Sequence, residues 1–154
     1  MAKTPKATKR YYTAGEANAA LPLVKVIVQD ITRLAPELRE RYDRLRRVMP
    51  SEELRLSAAH SEEVQQLQEE LDRDQDQMNA YLAELHKLGI ELKDPFTGLV
   101  DFPCWLDNRE VYLCWRFGEP EVGHWHELDA GFAGRQKISP SMARTERIPA
   151  PREV

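Results

Sequence analysis

From Leu21 onward, apolar residues recur in alternating steps of three and four: Leu21, Val24, Val28, Ile31, Ala35, Leu38, Tyr42, Leu45 and Met49. This spacing keeps one stripe of side chains on one side of a helix and predicts a helix packed along a seam. Thr13 with Glu16 three residues later reads as a capping box, so the helix starts near Ala14. Pro22 predicts a kink or a fresh start, and Pro36 a bend near Ala35. Met49, Pro50 and Ser51 break the pattern, and Ser51 followed by Glu52 and Glu53 predicts a second helix N-terminus. A second seam runs Val64, Leu67, Leu71, Asp74, Met78, Tyr81, Leu85 and Leu88, and it stops at Gly89. Asp74 is its polar exception and is expected at the seam edge or paired with an arginine of the first helix. Leu38 and Leu71 are expected to be buried in it.

The two seams match in length and predict an antiparallel hairpin. Leu23, Val26, Ile27, Leu34, Leu54, Leu56 and Leu82 lie beside the seams and widen the apolar stripe beyond that of a two-stranded coil. Such width predicts a further covering surface. A second hairpin about a two-fold axis, giving a homodimer, is one solution. A monomer whose remaining chain folds back over these residues is the other.

Beyond Gly89 the period changes from 3.6 to 2. Ile90 and Leu92 alternate with Glu91 and Lys93, and Asp94, Pro95, Thr97 and Gly98 predict a turn. Residues 99–106 and 109–117 read as strands joined at Asp107 and Asn108, both tolerant of positive φ. A turn at 118–121 leads into a shorter strand, 122–128, and a Gly-rich segment over 129–135. The predicted fold class is α+β, a long coiled-coil-like antiparallel hairpin followed by a small antiparallel sheet of three or four strands. The chain divides into a basic flexible tail (1–10), the hairpin (11–89), a β block packed on it (90–138) and a disordered tail (139–154).

Composition narrows the partners. The net charge is −4 and the pI about 5.6, so the chain as a whole carries no footprint for nucleic acid or an anionic membrane. The apolar run from Leu21 to Val28 is interrupted by Lys25 and falls well short of the roughly 20 residues that cross a bilayer. No export signal is read, because Glu16, Asn18 and Lys25 interrupt the apolar core such a signal needs. Cys104 and Cys114 alone suit a reducing, cytoplasmic compartment. The arginines between positions 33 and 47 face the acids between 62 and 76 in the predicted hairpin, which accounts for them as flank charges.

Pairing across Asp107 and Asn108 puts Val100, Phe102, Cys104, Val111, Leu113 and Trp115 on one face, the core. The opposite face holds Asp101 against Cys114, Pro103 against Tyr112, Trp105 against Glu110, and Arg116. That mixture suggests a face that is covered or binds something. His124 and His126 point the same way on a strand and could join Asp101 and Cys114 in a site for a divalent transition metal, with Glu127 a further candidate ligand. A four-residue loop at 118–121 instead turns both histidines to the core beside Trp115; a one-residue register change brings the four donors together. Arg135 at the turn with Gly131 and Gly134, beside Glu127 and Asp129, could hold an anion on backbone amides or form an ordinary structural pair. Cys104 reads as an inert buried thiol.

The segments GIELKDPFTGLVDFP, REVYLCWRFGEPEV and HWHELDAGFAGR, after an opening YYTAGEANAALP, resemble a bacterial family known as domain of unknown function 2203. The similarity runs from about Tyr11 to Gln136. It implies a helical N-terminal part and a C-terminal signature that includes Asp101, His126, Glu127, Asp129 and Arg135, and it carries no activity. The leading reading is a non-enzymatic interaction or oligomerisation module without a cofactor. A metal-binding protein or metal-dependent enzyme built on Asp101, His124, His126 and Glu127 is the alternative. Anion or nucleic-acid binding through Arg135 or the basic segments is a third.

Overall fold

The computed structural model describes residues 9–48 and 58–139. The predicted turn at Met49 and Pro50, the second start at Ser51, Leu54 and Leu56, the first eight residues and most of the C-terminal tail lie outside the described residues. Two helices, α1 (Ala14–Val48) and α2 (Ala58–Lys87), pack against each other and precede β1 (Glu91–Asp94), β2 (Leu99–Leu106), β3 (Arg109–Arg116), β4 (His124–Glu127), a 3-10 turn (Phe132–Gly134) and β5 (Gln136–Lys137). The strands form one antiparallel sheet in sequence order. It has five strands, one more than the upper expectation, because β5 is a two-residue ladder too short to leave a period in the sequence.

The helix ends follow the chemistry of their residues. Thr13 N–H donates to Glu16 Oε1 at 3.2 Å and Glu16 N–H to Thr13 Oγ1 at 3.1 Å, the reciprocal capping box. α1 then runs unbroken through Pro22 and Pro36 for 35 residues; neither proline starts a new helix. Burial of Leu21 and Val24 around Pro22, and of Ile31 and Ala35 ahead of Pro36, supplies packing that outweighs the lost backbone donors. α2 closes with Gly89 at φ +74°. The Gly89 N–H donates to the His86 carbonyl and the Ile90 N–H to the Leu85 carbonyl, while Leu85 and Ile90 are both buried.

The β2–β3 hairpin turns through Asp107 (φ 49°) and Asn108 (φ 61°), with Leu106 opposite Arg109 as the spacing predicts. Val100, Phe102, Cys104, Val111, Leu113 and Trp115 are all buried in the same cluster as the α1 seam. Gly98 sits at φ +71° between sheet and helix, where a Cβ would come within 2.8 Å of a Val28 methyl and 2.6 Å of Phe117. Tyr12 ties the chain's entry to both layers: its N–H donates to the Pro103 carbonyl, its hydroxyl to the Leu88 carbonyl, and its ring meets Phe102 edge-on.

The seam itself is covered unevenly. Val24, Val28 and Ile31 are fully enclosed, but Leu38 and Leu71 are only partly buried and Tyr42 is exposed, contrary to the expectation that Leu38 and Leu71 lie inside. Of the residues beside the seam, Ile27 turns inward, Leu34 and Leu82 pack partly buried against the core, and Leu23 and Val26 stand out at 54% and 58% exposure. Asp74 finds the expected arginine: Arg41 pairs with it and reaches Glu70 at 4.0 Å.

Candidate functional sites: a covered polar face and an apolar groove

The middle of the sheet face opposite the helices is enclosed, while Trp105, Glu110 and His124 at its margins are partly covered and Arg116 is exposed. Asp101 and His126 are each 2% exposed and Cys114 is fully covered, with Pro103 and Tyr112 buried beside them. β4 settles which way the histidines point. His124 lies opposite Cys114 and His126 opposite Tyr112, so both share the face of Asp101, and Trp125 goes to the core. The four-residue loop that would have turned the histidines inward is replaced by a longer connection, because Val122 leaves the strand path and enters the core. Asn18 on α1 holds it there: the Val122 N–H donates to Asn18 Oδ1 at 2.8 Å, and the Asn18 amide donates to the Val122 and Ala14 carbonyls. On the other flank the Trp115 indole N–H donates to the Glu119 carbonyl at 3.1 Å.

Asp101 on β2, Cys114 on β3 and His126 on β4 present donor atoms that all lie within 4.8 Å of one another. His126 Nε2 stands 3.0 Å from Asp101 Oδ1, and its Nδ1–H donates to the Glu127 carbonyl at 2.7 Å. Burial pushes the Asp101 carboxyl above the usual range, against the pull of His126, and burial with the nearby Asp101 charge pushes the Cys114 thiol up to about 12. Tyr112 flanks the group, its ring 5.5 Å from that of His126.

The remaining candidates fall outside this group. His124 shares the face, but its Nδ1 accepts from the Arg135 guanidinium, which also pairs with Glu119. Burial and the Arg135 charge depress the His124 pKa. Burial raises the Glu119 carboxyl, and the Arg135 hydrogen bond, the Arg116 N–H and the neighbouring charges outweigh it, leaving a net lowering. Glu127 points away: it pairs with Val111 in register and takes a two-pronged hydrogen bond from Arg109, as short as 2.6 Å. Arg135 is thus engaged by Glu119 and His124, and not by its sequence neighbours Glu127 or Asp129. Arg109, Glu119 and Asn18 were missed as organising residues; Asn18 acts across 104 positions, a separation that leaves no local signal.

A second feature lies where the sheet ends along the hairpin. Leu38 and Tyr42 of α1, Leu71, Met78 and Leu82 of α2, and Leu92, Pro95 and Phe96 of the first strand and its turn enclose a groove of about 470 Å³. Arg39, Asp72 and Gln75 supply its polar rim. Phe96 is 47% exposed and Tyr42 52%, with Arg39 over the first ring and Arg46 over the second. Asp94 fixes the turn that presents Phe96, accepting from the Phe96 and Thr97 N–H groups at 2.8 Å and 3.3 Å.

The sequence matches the family described as Uncharacterized conserved protein (DUF2203) over residues 10–138. No curated protein and no solved structure matches the chain. Among the described residues no helix is long and apolar enough to cross a membrane.

Proposed function

The chain belongs to the DUF2203 family of uncharacterised conserved proteins, and we propose that it is a non-enzymatic interaction module that assembles as a homodimer through the distal half of its helical hairpin. The observation that carries this reading is the groove, whose walls are continuous with the core seam yet leave Tyr42 and Phe96 about half exposed. Apolar surface of this kind on a seam gains from a second covering layer. A second copy of the chain supplies one of matching length and period. The sheet lies on the groove side of the hairpin, with Leu92, Pro95 and Phe96 forming a wall. A partner hairpin therefore enters by its own distal half, antiparallel, so that the two sheets stand at opposite ends of a short four-helix bundle.

The groove's chemistry supports binding over catalysis, since its polar groups are confined to the rim. The two cysteines are free and buried, which supports a reducing, cytoplasmic setting. Arg135 donates to Glu119 and His124, which disfavours it as an anion receptor. Light scattering on the full chain and on Tyr42→Glu/Phe96→Glu tests the reading. The wild type is expected at twice the monomer mass of 17.8 kDa and the double variant at that mass with an unchanged helical spectrum. Equal masses for the two would reject it.

A further inference from the structure

We infer that Asp101, Cys114 and His126 bind one divalent transition metal ion of the zinc class on the covered polar face of the sheet. The inference is independent of the dimer. It rests on three donor groups of different chemistry, one from each of three adjacent strands, brought within 4.8 Å of one another and almost fully enclosed. A tetrahedral zinc ion with bonds of about 2.0–2.3 Å sets its donors roughly 3.3–3.8 Å apart. Asp101 and His126 already stand 3.0 Å apart, so closing the group around an ion takes shifts of side chains and none of strand register.

The imidazole is pre-set for the task. A carbonyl oxygen only accepts, so the bond to Glu127 places a hydrogen on Nδ1 of His126 and leaves Nε2 as the nitrogen that faces Asp101 and Cys114. Metal-binding histidines are held in this way, with the non-ligating nitrogen donating to a carbonyl or carboxylate. The mixed sulfur, nitrogen and oxygen set suits zinc or cobalt(II) and does not suit magnesium or calcium, which take oxygen shells. On binding, the ion displaces the thiol proton of Cys114 and the hydrogen bond between His126 Nε2 and Asp101, and the displaced protons leave to solvent. Three protein ligands leave the fourth position to a water or an exogenous ligand.

Full-length protein purified without an affinity tag, stripped with a chelator and titrated with cobalt(II) tests this. One equivalent is expected to bind and to produce a thiolate-to-cobalt charge-transfer band in the near ultraviolet. Cys114→Ser is expected to abolish the band, and Asp101→Asn and His126→Gln each to weaken binding by about tenfold or more. Cys104→Ser, on the opposite face, and His124→Gln are expected to leave the band in place. The X-ray absorption spectrum of zinc-loaded wild type needs no variant and is expected to show one sulfur neighbour. A shell of nitrogen and oxygen alone, a band that survives Cys114→Ser, or no uptake of either metal at micromolar concentration would overturn the site and leave a hydrogen-bonded group.

Discussion

In the proximal half of the hairpin Val24, Val28 and Ile31 are completely enclosed, whereas in the distal half, toward Val48 and Ala58, Leu45 and Leu67 are buried but Leu38 and Leu71 are only partly covered and Tyr42 stands half in solvent. Both halves carry the same three-and-four spacing. The difference is what lies on top: the apolar face of the sheet, led by Phe102, Leu113 and Trp115, over the first, and, beside Leu38, Tyr42 and Leu71 in the second, a wall of Leu92, Pro95 and Phe96 that leaves a groove open. A heptad thus specifies a stripe without specifying its cover. In one half the chain supplies the cover itself, and in the other a second copy is proposed to do so.

The largest effect should come from truncation in the covered half. Ile31→Ala removes a side chain with no exposed surface and is expected to cost about 2 to 5 kcal/mol, read as a lower denaturant midpoint at any protein concentration. Asn18→Ala, which frees the Val122 segment from the proximal end of the helix, is expected to cost about 1 to 3 kcal/mol through unsatisfied backbone groups. An unchanged midpoint would mean that the connection before β4 holds itself.

Leu71→Ala, in the distal half, is expected to cost about 1 to 2 kcal/mol in dilute protein, less than a fully enclosed leucine because part of its side chain is already exposed. The cost should grow with protein concentration as assembly covers the groove. A loss equal to that of Ile31→Ala in dilute protein would erase the distinction between the halves.

The acid limb of stability gives a smaller effect. Burial raises the Glu119 carboxyl, but Arg135, the Arg116 N–H and neighbouring charges hold its folded pKa below the ordinary value of 4.5. A depressed carboxylate contributes stability that is present above its unfolded pKa and is lost as pH falls through the folded one. Glu119→Gln should therefore lower the midpoint at neutral pH and flatten its decline below about pH 4.5. A parallel decline in both proteins would contradict the Arg135 pairing. The smallest change is expected for Arg41→Ala, whose partly exposed pair with Asp74 and Glu70 is worth about 1 kcal/mol at most and less in high salt.

Much of this architecture could be read from the residues. Thr13 with Glu16, the stop at Gly89, and the turn at Asp107 and Asn108 are local signals, and each fixed its element or register. The partition of the β2–β3 hairpin into an apolar and a polar face followed from alternation alone. The orientation of His124 and His126 did not, because it depends on Val122 being drawn into the core by Asn18, a contact between distant residues. Glu127 was grouped with the histidines as a sequence neighbour, but strand alternation sends it to Arg109. The uneven cover over the seam was equally hidden, since Leu38 occupies the same heptad position as Ile31, and Leu71 the same one as the buried Met78.

Sedimentation equilibrium of the wild type across a wide concentration range tests the proposed assembly most directly. A reversible association fitting monomers of 17.8 kDa and dimers, shifted to monomer by Tyr42→Glu/Phe96→Glu, is the predicted result. A single species of monomer mass at every concentration would contradict it.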